Sequence, residues 1–223
     1  SSLVLGVCRY AAATGDVAIF DEVIDGETIS ARLGRALTFV HTHRFSEEYG
    51  LVWGATTADW GDVQPEHEWG VEFDRNSHRA IDIYDNALYL QAIDEFVRTA
   101  PNLSLQEREQ WRNTHRTIAE NVRKHLWDAS REKFVPHVYL DGTPFPADFD
   151  ENQIYYHGGT AVAIEAGLLN RKEVQLALER MIENVHAAGA SSIGLTMYPP
   201  YPAGYFKNPS MAQPYSYQNG GDW

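Results

Sequence analysis

Apolar residues recur at helical spacing along most of the chain. Between Thr28 and His43, Ile29, Leu33, Leu37 and Val40 fall on one face, the pattern of an amphipathic helix. Arg79 to Thr99 is apolar nearly all round and is followed by Pro101, which predicts a buried helix that stops there. Ser104 and Glu107 have capping-box spacing. They open a helix predicted to reach Trp127, with Trp111, Ile118, Val122 and Leu126 as its stripe. Gly159 to Leu169 is small and apolar, which suits a helix packed on several sides. Arg171 to Ala188 carries Val174, Leu178, Met181 and Val185 on one face, and Gly189 is placed to end it as a C-cap.

The segments alternate between a buried helix and an amphipathic one. Arg79–Thr99 pairs with the helix from Ser104, Gly159–Leu169 pairs with Arg171–Ala188, and the first forty-five residues supply a further pair. Such hairpins stack in a bundle, a solenoid or a closed toroid. The expected class is all-α, with residues 1–223 forming a single domain. Ser1-Ser2-Leu3-Val4-Leu5-Gly6-Val7 and the closing Gly220-Gly221-Asp222-Trp223 both read as cuts through folded structure, so a domain truncated at both ends is expected.

Between the pairs lie long polar and aromatic stretches. Tyr49 to His78 is rich in Trp, Gly, Asp, Glu and His, and Gly194 to Trp223 is rich in Tyr, Pro, Gly and Asn. Phe134 to Leu140 reads as a short strand ending in an Asp141-Gly142 turn. Long loops in a compact domain are usually functional. A net charge of −13 without clustered Lys and Arg argues against nucleic acid. No run approaches the roughly 18 apolar residues of a membrane span. Cys8 is the single cysteine, so no internal disulfide forms.

The candidate chemistry sits in these stretches. Asp59-Trp60-Gly61-Asp62 is followed by Glu66, Glu68, Glu72 and Asp74. Glycoside cleavage needs a carboxylic acid to protonate the departing oxygen and a second carboxylate as base or nucleophile. Burial against Trp60 or the neighbouring Asp59 would keep Asp62 protonated; the plainer alternative is a set of solvated loop acids. Trp53, Trp60, Trp69, Tyr155, Tyr156, Tyr198, Tyr201, Tyr215, Tyr217 and Trp223 offer stacking faces for sugar rings, or simply pack the loops onto the helices. Asp82, Asp85, Asn86 and Tyr89 form a polar stripe on a buried helix, which must be satisfied internally or face a cavity. His41-Thr42-His43 and Glu66-His67-Glu68 match no metal-binding spacing, and neither metal nor cofactor is expected. His157-Gly158-Gly159 opens a helix whose N–H groups would meet a hydroxyl or an anion, or form a plain turn.

Three of these segments resemble known enzymes. Asp59-Trp60-Gly61-Asp62 resembles the Asp-Trp-Asn-Asp segment of cellobiose and chitobiose phosphorylases, with Gly61 in place of Asn, and the Trp-x-Asp of glycogen-debranching glucosidases. Asp85-Asn86-Ala87-Leu88-Tyr89 resembles the Asp-x-Asn-Ala-Leu-Tyr helix of trehalases. Tyr217-Gln218-Asn219-Gly220-Gly221-Asp222-Trp223 resembles their Asn-Gly-Gly-x-Trp motif. The resemblance implies an (α/α)6 toroid and an inverting glycoside hydrolase acting on a carbohydrate. Asp62 would be the general acid and Asp59 would tune it or bind a hydroxyl. Trp53, Trp60, Asp85, Tyr89, His157, Gln218, Asn219 and Trp223 would line the substrate. The catalytic base and further helices are expected beyond Trp223. A disaccharide phosphorylase, a non-catalytic carbohydrate-binding toroid, and isoprenoid chemistry in such a toroid are the alternatives.

Overall fold

The computed structural model describes residues 1–221. Six α-helices lie among them: α1 (Ser2–Thr14), α2 (Ile29–His43), α3 (Ile83–Thr99), α4 (Leu105–His125), α5 (His157–Glu165) and α6 (Arg171–Ala188). The central one is α3, which packs on α1, α2, α4 and α5. Its Ile83, Ala87, Leu90, Ile93 and Phe96 are buried in the main core with Leu33 and Leu37 of α2 and Ile118 and Val122 of α4. The capping box at Ser104 and Glu107 is present as expected, and Gly189 ends α6 in the left-handed region.

The all-α expectation is corrected. Eleven short strands make five small sheets among the described residues. β1 (Val23–Ile24) pairs with β2 (Glu27–Thr28), and β3 (Phe45–Ser46) with β4 (Leu51–Val52). β5 (Gly54–Ala55), β6 (Arg79–Ile81) and β9 (Val138–Tyr139) form a three-stranded sheet. β7 (Trp127–Asp128) pairs with β8 (Lys133–Phe134), and β10 (Tyr155–Tyr156) with β11 (Met197–Tyr198). The fold is thus a mixed one of helix pairs and small sheets, not an all-α ring of six hairpins.

The long helix predicted from Arg79 begins only at Ile83, because Ala80 and Ile81 are drawn into pairing with Gly54, Tyr139 and Val138. Asp82 then caps α3 by accepting from the Asp85 N–H at 2.7 Å. The strand predicted over Phe134–Leu140 is split between β8 and β9 for the same reason: its two ends pair with different partners. The helix predicted over Gly159–Leu169 closes at Glu165, ahead of Gly167 with φ +71°.

Short links at residues 100–104 and 166–170 make α3/α4 and α5/α6 antiparallel neighbours. The long segments 44–82, 126–156 and 189–221 therefore meet at the end of the helices where α3 and α5 begin. There they build a second hydrophobic cluster of their own, including Ala58, Val63, Phe145, Tyr156, Tyr201 and Phe206. Of the loop aromatics singled out in the sequence, Tyr156 and Tyr201 serve that packing, while Trp69, Tyr215 and Tyr217 are exposed.

Candidate functional site

The stretch after β5 carries the acid–Trp–acid segment, and its two acids turn opposite ways. Asp59 takes a positive φ of 54° and is only 4% exposed. Its Oδ2 accepts from the Gly158 N–H and its Oδ1 from the Gly159 N–H, both at 2.7 Å. Those are free N–H groups of the first turn of α5, where the helix dipole favours a carboxylate. Burial nevertheless pushes Asp59 up to about 7, with the two N–H bonds and the charge of His137 opposing it.

Glycine is required on the α5 side. A methyl at Gly158 would overlap Trp60 Cδ1 and come within 2.8 Å of Asp59 Oδ2. Gly158→Ala is expected to destabilise the fold by about 1–3 kcal/mol, the usual cost of overpacking, and to displace Trp60. Denaturant unfolding followed by Trp fluorescence checks both.

Asp62, expected to be buried against Trp60, instead faces solvent, and the burial falls on Asp59. Its Oδ1 accepts from Gln218 Nε2 at 3.1 Å, which ties the segment to the last long loop. Gly61 lets Gln218 approach, since a methyl there would lie 2.5 Å from Gln218 Oε1.

The remaining residues singled out in the sequence fall into two groups. Trp60 and Gln218 lie beside Asp59 and Asp62, and the half-buried Asp85 stands at the first turn of α3. Burial pushes Asp85 upward, against the N-terminal amino group, Arg44 and His137. Trp53 is covered by Arg44 and Arg79, whose guanidinium carbons lie 4.8 and 5.2 Å from its ring centre.

The second group is engaged in the scaffold. Tyr89 is fully buried and donates to the Leu37 carbonyl at 2.9 Å. Asn86 bonds both the N–H and the carbonyl of Val52. His157 is buried against Asn184 Nδ2 and lowered by that burial to about 4. Asn219 pins the last loop, accepting from the Tyr201 N–H at 2.7 Å and donating to the Tyr201, Met211 and Gln213 carbonyls. Trp223 lies outside the described residues.

A cleft of about 910 Å³ is lined from Pro65 and Glu66 onward; Asp59 and Asp62 are not part of its lining. Pro65 is three residues from Asp62, a chain distance of at most about 11 Å. Arg79 and Asp141 form a two-pronged ion pair on its wall, Nε to Oδ2 at 2.7 Å and Nη2 to Oδ1 at 2.6 Å. Glu66 bonds His78 through one oxygen, while its Oε2 is buried without a partner. Phe73 and Tyr205 add aromatic surface, and Trp69 nearby in sequence is 74% exposed. The cations of the lining (Arg75, Arg79, Lys207) are matched in number by its acids (Glu66, Asp74, Asp141).

Sequence reasoning passed over Arg79, Asp141 and Lys207, which are brought together from three distant stretches. It also passed over a buried pair, His137 and Glu151, behind Asp59. Among the described residues no group of three or more His, Cys, Asp and Glu side chains is arranged to hold a metal ion, and no helix is long and apolar enough to cross a membrane.

No protein-family model matches the chain, and no curated protein matches it. Among solved structures the chain is similar to a GH78 family rhamnosidase of Bacillus sp. GL1, with a TM-score of 0.54 and 17% sequence identity. The match covers 97% of this chain and 24% of that one, so the chain spans about a quarter of the rhamnosidase's length. At that identity the likeness is one of fold.

Proposed function

We propose that the chain carries the general-acid side of a glycosidase site, with Asp62 as the acid and the cleft from Pro65 to Lys207 as the sugar-binding surface. The observation that carries this reading is the division of labour between the two acids. Asp59 is locked onto the first turn of α5. That leaves Asp62 exposed at the same loop, steadied by Gln218. An exposed acid on a loop anchored at both ends can meet a glycosidic oxygen, and its proton would leave with the departing group.

The adjoining cleft supports a carbohydrate ligand. Sugar hydroxyls need donors and acceptors in fixed directions. Arg79 and Asp141 provide both, and Phe73 and Tyr205 add ring faces. The structural likeness to a rhamnosidase is in keeping with glycoside cleavage. Trp60 would border the reacting bond, with Asp59 holding the loop and not touching the sugar.

Inversion at the anomeric carbon would need a second carboxylate roughly 6.5–9.5 Å from Asp62, with water between them. The test is cleavage of a panel of neutral glycosides by this chain and by Asp62→Asn. Cleavage that persists at the same rate in the variant removes the assignment. Product that appears only with inorganic phosphate, as a sugar 1-phosphate, makes the enzyme a phosphorylase instead.

A further inference from the structure

We propose that Glu151 and His137 are a positioning pair that holds the loop bearing Asp62 in place from behind; the proposal rests on the reading of Asp62 as the acid. His137 has a side chain only 1% exposed, and its Nδ1 lies 2.9 Å from Glu151 Oε1. Glu151 also accepts from the Tyr139 hydroxyl at 2.8 Å and from the Tyr201 hydroxyl, which in turn meets the Tyr156 hydroxyl. One carboxylate thereby joins β9, the turn at Glu151–Gln153, β10 and the last long loop.

A buried ion pair is an expensive way to fill a core, since apolar residues of similar volume are often as stable or more so. The charge must therefore be accounted for by its surroundings. Pairing of Ile81 with Val138 sets His137 next to Asp82 at the start of α3. His137 also faces Asp59, Asp85 and the Thr57 backbone. Its ring is set among four carboxyl groups, those of Glu151, Asp82, Asp85 and Asp59.

Burial alone would lower His137; the charge and bond of Glu151, with Asp82, outweigh it and push it above the ordinary imidazole value. Burial would likewise raise Glu151, and His137, Tyr201 and Tyr139 outweigh that and keep it ionised. The other charges facing the cluster are Lys133 toward Glu151, and Arg44 and the N-terminal amino group toward Asp85. None of them faces Thr57 and Asp59 as His137 does. The loop is then clamped from two sides, by the glycine N–H groups of α5 and by the His137 ring that Glu151 holds.

Glu151→Gln tests this. It preserves shape and one acceptor but removes the charge. With labelled histidine, the His137 ring should lose its proton at a lower pH in the variant than in the parent chain. The Trp60 indole N–H signal should shift with it. On a glycoside that the parent chain cleaves, kcat should fall roughly ten- to hundred-fold while KM changes less than about twofold, the mark of a misplaced group. A His137 that titrates alike in both proteins, or a Trp60 signal that does not move, overturns the proposal. If Glu151→Gln does not fold, Tyr201→Phe, which keeps the charge but deletes one hydroxyl bonded to Glu151, should leave the His137 titration no lower than in the parent and still move the Trp60 signal; a Trp60 signal that does not move there also overturns it. Loss of cleavage in Asp62→Asn tests the reading of Asp62, and the two NMR signals decide the pair independently of it.

Discussion

Asp62→Asn is expected to lower kcat on a glycoside with an alkyl or sugar leaving group roughly 10²- to 10⁴-fold, the span that a positioned general acid supplies. The mechanism makes a sharper demand than a simple loss. A sugar alkoxide cannot leave without a proton, whereas a nitrophenolate can. The deficit should therefore be largest for natural glycosides and shrink steadily as the leaving group becomes more acidic. A plot of log kcat/KM against leaving-group pKa should be steep for Asp62→Asn and shallow for the parent chain. Stability should change little, within about 0.5 kcal/mol, because the side chain is exposed and asparagine retains the oxygen that Gln218 bonds. An equal loss across all leaving groups would mean that Asp62 binds the substrate and does not protonate it.

What the sequence disclosed was local. The capping box of α4 depends on Ser104 and Glu107 alone, and the end of α6 depends on Gly189, so both could be found by spacing. The small sheets are another matter. Their strands are two or three residues long, too short for alternation to show, and their partners lie far off, as with Ala80 against Tyr139. Arg79–Ile81 therefore looked like the start of a helix.

The polar stripe on α3 was legible as a stripe but not as a destination. Asn86 and Tyr89 turned out to bond the backbone of Val52 and Leu37, 34 and 52 residues away. The site divides the same way. Asp59 and Asp62 are neighbours in sequence, which suggested a pair acting together. Only the glycines some hundred residues on turn Asp59 inward and leave Asp62 outside. Nothing near His137 or Glu151 in the sequence announces that they meet.

Asp59→Asn separates the anchoring role from a catalytic one. An asparagine offers one acceptor where the carboxyl offers two, so either the Gly158 or the Gly159 N–H loses its partner and faces an NH₂ group. A buried unsatisfied donor costs about 1–3 kcal/mol, and the repulsion between donors adds to it. The variant should thus be less stable than the parent chain at pH 5. Its pH dependence should differ as well. Folding raises the pKa of Asp59 from 3.8 to about 7, so the native state binds this proton more tightly than the unfolded chain does. The parent chain's stability from this group is accordingly greatest below the lower value, falls as pH rises between the two, and is level above 7. Asparagine cannot ionise, so that slope should vanish and the gap between the proteins should narrow toward pH 8. Denaturant unfolding at intervals across this range reads both effects. Parallel slopes would show that Asp59 is ionised throughout, with the two N–H groups and His137 outweighing its burial. A variant as stable as the parent at pH 5 would show that the clamp on α5 is not what holds the loop.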